Sequence, residues 1–467
     1  MNHRNRNHTG RRGPRPGGNR RQFLQSGGGA VAAGGLPLLL GGIASTAPPS
    51  ANAPPRRKKI LLTGCRHDTN IGDQAHAPGM LRLIQTHLPG TAVTLWPVPS
   101  AYGPDQPTGH RGRQRQLDAG LRAMLRRSFP DLEILAPAWA SAAGDREAVA
   151  ERDAAFAAAD LMISGSGGGI KGVVRDWREE TSKPWGGYGV TLSSPRPSYA
   201  DASFLFCRDT PSVQTLRDAA MPVDHLAFAP DSTFAMDLRD EARATRFLEA
   251  HGLVDRRFLC VVPRLRYSPY PQMYGYPPSP AERERMETND RHRRSDHETL
   301  RQLIIAFVRE TGWRVLACPE MTYGVDLARQ ELVDPLPDDV RPQVVWRDSF
   351  WLCDEAASVF AKALAMVSLD CHSPILALAA GTPAVHVRLP TDNPFKSQMF
   401  ADIGLPEWVR QHESTTAEQL VALVMNIVRD HDAATARVQE ALSSVRQRQW
   451  ESMRVVRQTL WPTGHPG

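Results

Sequence analysis

A histidine in the second half of the chain lies at the kind of junction where enzymes place acid–base groups. Residues 366–369 form a short, mostly apolar run suited to a buried strand, and the polar Asp370-Cys371-His372 follows as a turn. Ser373 suits a helix N-cap and Pro374 the first helical position, so a helix should begin here. His372 can transfer protons near neutral pH, and the free N–H groups of a helix start favour an anion. We therefore predict proton transfer beside a bound anion.

Three charged side chains elsewhere in the sequence also follow short apolar runs, namely Arg208, Arg264 and Glu320. An arginine in such a position can hold a carboxylate or a phosphate through two parallel hydrogen bonds. Arg208 and Arg264 are therefore candidate anion-binding residues. Glu320 could contact a sugar hydroxyl or transfer a proton. A salt bridge from Arg208 to its neighbours is the alternative interpretation.

Two polar motifs in the first half of the chain follow apolar runs in the same way. In Asn70-Ile71-Gly72-Asp73, the glycine would allow close backbone approach, and the aspartate could orient a hydroxyl or cap a helix. In Ser166-Gly167-Gly168, backbone N–H groups could approach an anion or a sugar. This turn is not a Walker loop, because the Gly-Lys-Ser/Thr ending is missing. For residues 70–73 the alternative is helix capping, and for residues 166–168 it is a tight turn that binds no ligand.

The elements that must position these residues alternate between apolar runs and helical segments. This alternation is typical of a parallel, doubly wound α/β sheet. About 410 residues follow the first 53, which is more than one ordinary core accommodates. We predict two Rossmann-like domains, residues 54–240 and 241–430, facing across a cleft, and a C-terminal helix in residues 431–467. Because ligands bind beyond the carboxyl ends of parallel strands, the polar residues above should converge on the cleft.

Residues 267–296 are predicted to form a long loop over the cleft. They contain four of the eight tyrosines of the chain, together with several prolines. Clustered tyrosines suit stacking against carbohydrate, so the segment is interpreted as a lid on the acceptor side. Disorder is the alternative.

The segment 370–383 resembles the Arg-x-His-(Ala/Ser)-x-x-x-Ala-x-x-x-Gly-x-Pro signature of the polysaccharide pyruvyl transferase family. Residues 70–73, 164–169 and 208–212 resemble further motifs of that family, in the same order. The resemblance implies a transferase with two Rossmann-like domains in a glycosyltransferase-like arrangement. It also implies transfer of a pyruvyl group from phosphoenolpyruvate to a hydroxyl pair of a cell-envelope glycan. His372 would then be the acid–base group, and Arg208, Arg264 and the N–H of Ser373 would hold the anionic donor.

The chain departs from the signature at one position that bears on the donor. Asp370 stands where the family has an arginine, so a carboxylate replaces a cation two residues before the histidine. The exchange removes one attraction for an anionic donor and adds one repulsion, each of order 1–4 kcal/mol at about 4 Å. We hypothesise that Asp370 has changed the donor and that the chain does not bind phosphoenolpyruvate tightly, unless Arg264 or Arg266 compensates. Orientation of His372, contact with a sugar hydroxyl and helix capping are other roles for Asp370.

Two other classes of function remain open from the sequence. The first is a glycosyltransferase-like enzyme with another activated donor, because one fold hosts many donors. The second is a non-catalytic exported protein that binds carbohydrate. In each case the expected partners are a glycan and, for the enzymes, a small anionic donor such as phosphoenolpyruvate.

The first 53 residues have the pattern of a twin-arginine signal peptide. Seven arginines and no acidic residue precede Gln22, and Arg20-Arg21 is followed by a mildly apolar run at 27–43 and small residues at 51–53. We expect export by the twin-arginine route to the periplasm or cell envelope. A basic tail that binds nucleic acid or anionic lipid is the alternative.

Composition narrows the classes of partner for the remaining residues. The formal net charge is +6, and removing the seven leader arginines leaves −1, so charge does not indicate a nucleic-acid partner. No later stretch is apolar over a length that spans a membrane. The six cysteines are scattered and include no Cys-x-x-Cys pair, which favours reduced core residues. We predict no metal and no cofactor.

Overall fold

Two parallel β-sheets organise the part of the chain that the computed structural model describes, residues 56–65, 69–98, 111–165 and 167–462. The predicted signal peptide and Ser166 lie outside these described residues. The expectation of parallel α/β architecture is confirmed, because every pairing between named strands is parallel.

The first sheet has eight strands in the spatial order β3-β2-β1-β4-β6-β7-β8, with β5 paired to β6. The strands are β1 Lys59–Cys65, β2 Ala92–Val98, β3 Glu133–Ile134, β4 Leu161–Ser164, β5 Gly167–Gly168, β6 Trp185–Thr191, β7 Phe204–Cys207 and β8 Leu226–Phe228.

The second sheet has six strands in the order β11-β10-β9-β12-β13-β14. The strands are β9 Phe258–Val262, β10 Arg314–Ala317, β11 Val344–Trp346, β12 Ala365–Ser368, β13 Ala384–Arg388 and β14 Val409–Gln411. All five residues of β9 are apolar and fully buried, as expected for a strand covered on both faces.

Sixteen α-helices of the described residues connect and cover the strands. Those around the first sheet are α1 Ile71–His87, α2 Arg111–Ser128, α3 Ala138–Ala142, α4 Arg146–Ala158, α5 Val174–Thr181, α6 Thr210–Asp218 and α7 Glu241–Ala250. Those that follow β9 are α8 Tyr270–Tyr274, α9 Pro280–Asp296, α10 Glu298–Thr311, α11 Gly324–Ala328, α12 Cys353–Phe360, α13 His372–Ala379, α14 Pro394–Asp402, α15 Ala417–Arg429 and α16 His431–Leu460.

The strand order reverses direction at one place in each sheet. In the first sheet, β2 and β3 lie on one side of β1, and β4 and the later strands lie on the other side. In the second sheet, β10 and β11 lie on one side of β9, and β12 and the later strands lie on the other side. Ligands of doubly wound sheets bind at this switch point, beyond the carboxyl ends of the strands. The switch points place the segments after β1, β4, β9 and β12 at the two candidate binding edges.

The C-terminal helix α16 packs against the first sheet, although it follows the second in sequence. The hydroxyl of Tyr188, in β6, lies 2.9 Å from the hydroxyl of Ser452, in α16. Both side chains are buried, and Val438, Val445 and Val456 of the same helix belong to the main hydrophobic core. The helix therefore fastens the end of the chain onto the first sheet.

The predicted lid is wrong in its secondary structure. Most of residues 267–296 is helical, in α8 and α9, rather than a long loop. Helix α9 begins with a capping box in which Ser279 and Glu282 satisfy each other's backbone N–H groups, and Pro280 occupies the first helical turn. This Ser-Pro-x-Glu pattern was the available signal, and the clustered prolines and tyrosines obscured it.

Two helix starts lie at the motifs singled out in the sequence. Helix α1 begins at Ile71, because Asn70 accepts hydrogen bonds from the N–H groups of Gly72 and Asp73 and caps it, so the capping alternative applies to Asn70. Helix α13 begins at His372, and its N-cap position is Cys371 rather than Ser373, with no side-chain capping bond. No helix of the described residues is both long enough and apolar enough to cross a membrane.

Candidate functional site

The carboxyl edges of the two sheets meet directly at the candidate site. The N–H of Ile71, after β1, donates to the carbonyl of Glu320, after β10, at 3.0 Å. The N–H of Thr322 donates to the carbonyl of Thr69 at 3.0 Å. These bonds join the segment after β1 to the segment after β10. The site therefore lies where both predicted halves contribute backbone.

Gly72 is packed against His372 at this junction. A Cβ placed on Gly72 would lie 2.3 Å from the Cβ of His372, closer than any real contact allows. The glycine is required for close approach of the two sheets, whereas the sequence analysis assigned that close approach to a ligand.

The N-terminus of helix α13 is occupied by a carboxylate of the protein itself. Glu320 accepts a hydrogen bond from the N–H of Ser373 at 2.6 Å, and its other oxygen lies 3.4 Å from Nδ1 of His372. Glu320 is 1% exposed and His372 is 6% exposed. The N–H that was predicted to bind the donor anion is thus already bound to Glu320, which also orients the imidazole.

A second histidine, which the sequence analysis missed, faces the first. His76 lies in the second turn of α1, and its ring is edge-on to His372 with a centroid distance of 5.0 Å. Its Nδ1 lies 3.1 Å from Oδ1 of Asp231, and both side chains are buried. Its position three residues after Asp73, on one helical face, was the only sequence signal. We call His76, His372, Asp231 and Glu320 the two-histidine cluster.

Arg208 reaches this cluster through Asp231. Its Nη1 donates to Oδ2 of Asp231 at 2.6 Å, and its Nε donates to the hydroxyl of Thr191 at 2.9 Å. Arg208 is 1% exposed and Asp231 is fully buried. The structure therefore shows the salt-bridge alternative for Arg208, but with Asp231, which is 23 residues away in sequence, rather than with an adjacent residue.

Arg264 is paired in a similar way on the second sheet. Its Nη1 lies 2.5 Å from Asp392 and 3.5 Å from Asp370. Arg266 makes two hydrogen bonds of 2.8 Å to Asp296. Arg264 therefore lies beside Asp370, but it also forms an ion pair with Asp392. Arg266 is paired with Asp296 instead of Asp370.

The surroundings of the two histidines shift their pKa values in opposite directions. Burial alone would lower the pKa of His372, but the neighbouring Cys371 and Glu320 side chains outweigh it and hold this pKa well above its usual value. Burial lowers the pKa of His76, and the Asp231 carboxylate offsets this effect only in part. Near neutral pH, His372 therefore carries a proton that it can give, and His76 is neutral.

The pKa values of the carboxylates in the site are also shifted. Burial opposes ionisation of Asp231, yet His76 and Arg208 hold its pKa well below the usual value. Arg264 likewise keeps the pKa of Asp370 lowered despite burial. Burial and the charge of Asp370 raise the pKa of Glu320. Groups whose pKa values are pushed apart within one cluster are a mark of acid–base sites.

The remaining predicted residues of the first sheet lie at different distances from this cluster. Asp73 has its Oδ1 3.8 Å from Nε2 of His76, so it belongs to the site. Gly167 and Gly168 form the short strand β5, in which Gly168 pairs with Thr191, the residue that contacts Arg208. The glycine turn is therefore a neighbour of the arginine.

The donor atoms of His76, Asp231 and His372 lie within 4.8 Å of one another, a separation that a metal ion could bridge. Both oxygens of Asp231 already accept hydrogen bonds, however: Oδ2 from Arg208, and Oδ1 from Thr233 as well as from His76. A metal would have to displace these donors. We therefore interpret the group as a hydrogen-bonded cluster, and the prediction that no metal is bound stays a prediction.

Comparison with known families gives one match. The sequence model described as polysaccharide pyruvyl transferase matches residues 70–389, well over half of the chain. The matched stretch begins at Asn70 and includes the whole two-histidine cluster. A search of the curated proteins returns no match.

Solved structures resemble the chain in fold. A structure from Listeria monocytogenes, assigned as a UDP-N-acetylglucosamine 2-epimerase, has a TM-score of 0.54 and 10% identity, covering 88% of this chain and 98% of its own. Another UDP-N-acetylglucosamine 2-epimerase structure has a TM-score of 0.50 and 14% identity, covering 88% of this chain and 99% of its own. At this identity the likeness concerns fold alone. It confirms two Rossmann-like domains in the glycosyltransferase-like arrangement.

Proposed function

Because the chain belongs to the polysaccharide pyruvyl transferase family, we propose that it transfers a pyruvyl group from phosphoenolpyruvate to two hydroxyls of a cell-envelope glycan. The placement of His372 carries this proposal. The side chain is buried where the two sheets meet, its Nε2 has no hydrogen-bond partner among the residues that the structure describes, and its surroundings favour the protonated form. A protonated imidazole can deliver a proton to the enol carbon of the donor, which makes the adjacent carbon electrophilic.

Donor binding in this proposal is weak, because carboxylates of the protein compete for the groups that would hold the donor. Asp231 pairs with Arg208, Asp370 and Asp392 pair with Arg264, and Glu320 takes the N–H of Ser373. The carboxylate and phosphate of the donor must compete with these internal partners. Asp370 is the acidic residue at the position where the family has a cation.

A change of Asp370 to arginine is therefore expected to strengthen phosphoenolpyruvate binding by about tenfold or more, because it replaces a repulsion by an attraction near the donor. Isothermal titration calorimetry on the wild type and the variant measures the effect. Asp338→Arg is the matched control, because it makes the same charge change at an exposed site. Asp338 lies before the amino end of strand β11, whereas Asp370 follows the carboxyl end of strand β12. Micromolar binding by the wild type would show that Asp370 does not weaken the donor site.

A binding and turnover screen tests the proposed function against its alternatives. The purified chain is mixed with a glycan fraction and either phosphoenolpyruvate or a set of sugar nucleotides, and free phosphate and nucleotide are measured. We expect glycan-dependent phosphate release from phosphoenolpyruvate. Nucleotide release would instead support a glycosyltransferase-like enzyme, and glycan binding without turnover would support a carbohydrate-binding protein.

Export by the twin-arginine route is part of the proposal and concerns residues outside the described part of the chain. The support is the order of twin arginine, apolar run and small residues within the first 53 positions. Changing Arg20 and Arg21 together to lysine is expected to retain the precursor in the cytoplasm, as measured by cell fractionation. Unchanged export would rule out this route. Because phosphoenolpyruvate is a cytoplasmic metabolite, the location of the mature protein also bears on where its donor is found.

A further inference from the structure

His76 has the contacts expected of a proton acceptor. Its ring is 2% exposed, its Nδ1 lies 3.1 Å from Asp231, and its Nε2 is buried with no hydrogen-bond partner among the described residues. A buried polar atom without a partner requires an explanation, because leaving it unpaired costs about 1–3 kcal/mol. A substrate hydroxyl that donates to Nε2 would supply the partner.

The charge of Asp231 determines which nitrogen of His76 carries the proton. Asp231 is held in its ionised form by Arg208 and can only accept hydrogen bonds. The Nδ1 of neutral His76 must therefore be the donor in this contact, and Nε2 must carry the lone pair. An aspartate that fixes a histidine in this tautomer is the arrangement of a general base.

His372 has the complementary environment. Its Nδ1 faces Glu320 at 3.4 Å and the Cys371 sulfur at 3.5 Å, and its Nε2 is also buried, with no partner in the part of the chain that the structure describes. The two rings are nearly perpendicular, at 88°, with centroids 5.0 Å apart. One cluster thus holds two imidazoles, one oriented by an ionised aspartate and the other placed against a glutamate. Within the described residues, the Nε2 atoms of both imidazoles are buried and lack a hydrogen-bond partner.

We propose that His76 is a second catalytic group, whose Nε2 accepts the proton of the attacking sugar hydroxyl while protonated His372 delivers a proton to the enol carbon of the donor. This inference rests on the proposed function and adds a residue to it. Asp231 is the positioning residue that holds His76 in the accepting tautomer. The family signature contains the histidine matched by His372, whereas His76 is identified here from its contacts.

The proposed reaction has two steps, and its bonds and protons balance over the two together. In the first, His372 gives a proton to the terminal carbon of phosphoenolpyruvate, the sugar oxygen bonds to the central carbon, and the hydroxyl proton passes to His76. In the second, the carbon–oxygen bond to phosphate breaks, phosphate leaves with the electron pair, and the second hydroxyl bonds to the same carbon. The second hydroxyl proton restores His372, and the proton on His76 leaves with phosphate.

The pH dependence of kcat/KM should report both histidines. Among the described residues, the titratable groups that act on the His76 ring are Asp73 of its own helix, Asp231 before the neighbouring turn and His372 of α13. Activity should fall at acidic pH, below the usual histidine value of 6.5, as His76 becomes protonated. It should fall at basic pH, above 6.5, as His372 loses its proton.

The test combines kinetics of His76→Gln with nitrogen NMR of the wild type. We expect His76→Gln to lose at least about 100-fold in kcat and to lose the acidic limb of the pH profile. His87→Gln, in the last turn of the same helix, is the control and should keep wild-type activity. Thermal unfolding of both variants shows whether they fold. In the wild type near neutral pH, NMR should show His76 neutral with its proton on Nδ1.

The outcomes separate this inference from the proposed function. Full activity in His76→Gln, or a His76 that is doubly protonated or protonated on Nε2, would overturn the role of His76 and leave pyruvyl transfer in place. Failure of the wild type to release phosphate from phosphoenolpyruvate with any glycan would overturn the proposed function, and the inference with it. If His76→Gln does not fold, His76→Asn and the NMR measurement decide the question.

Discussion

Replacing His372 with glutamine is expected to lower the rate of pyruvyl transfer by about 10²–10⁴-fold, because the variant cannot protonate the enol carbon of the donor. Glutamine keeps a polar side chain of similar size next to Glu320, so the packing against Gly72 should persist. The loss should appear in kcat rather than in KM, since the proton is transferred only in the transition state. Steady-state phosphate release at several donor concentrations measures both constants.

The companion variant Glu320→Gln tests the cause of the effect. Glu320 helps to raise the pKa of His372, so removal of its charge should move the basic limb of the pH profile to lower pH. The variant retains an amide oxygen that can still accept from the N–H of Ser373. Near wild-type kcat in His372→Gln would show that another group supplies the proton.

Replacing Arg208 with methionine is expected to lower the free energy of unfolding by about 3–5 kcal/mol, the usual cost of removing one partner of a buried ion pair. Asp231 would lose its 2.6 Å contact and remain fully buried with a charge. Denaturant unfolding of the wild type and the variant measures the difference. The exposed pair Arg309–Asp339 offers the control, and Arg309→Met should leave stability close to that of the wild type.

The stabilisation by this pair should depend on pH in a defined direction. The pKa of Asp231 in the folded protein lies well below its usual value of 3.8. The contribution of its charge is therefore complete above pH 3.8 and is lost as the pH falls toward the folded pKa. The difference between the wild type and Arg208→Met should shrink in that range. A variant as stable as the wild type at neutral pH would show that the pair does not stabilise the fold.

Much of the fold was predictable because its strands are continuous apolar runs. The apolar residues of β9, and the mostly apolar residues of β12 before Asp370, indicate buried parallel strands from the sequence alone. Strand β14 was not predicted, since Val409–Gln411 has two polar residues out of three and lies at the edge of its sheet.

The site was less predictable, because its chemistry depends on partners that are distant in sequence. Arg208, Arg264 and Glu320 each follow an apolar run in the sequence, so they were predicted to lie at the carboxyl edges of the sheets. The structure places them there. No local pattern indicates that Arg208 pairs with Asp231, or that Glu320 occupies the start of the helix that begins at His372. Such pairings follow from how the two sheets meet.

The proposed reaction of the two-histidine cluster would form a pyruvyl ketal on a glycan. Carbon NMR of the glycan, after incubation with the wild-type protein and ¹³C-labelled phosphoenolpyruvate, detects this product directly. We predict that the glycan acquires a labelled methyl carbon and a labelled ketal carbon with the wild type, and neither with His372→Gln. Label that stays in phosphoenolpyruvate or free pyruvate, while the glycan remains unlabelled, would contradict the proposed reaction.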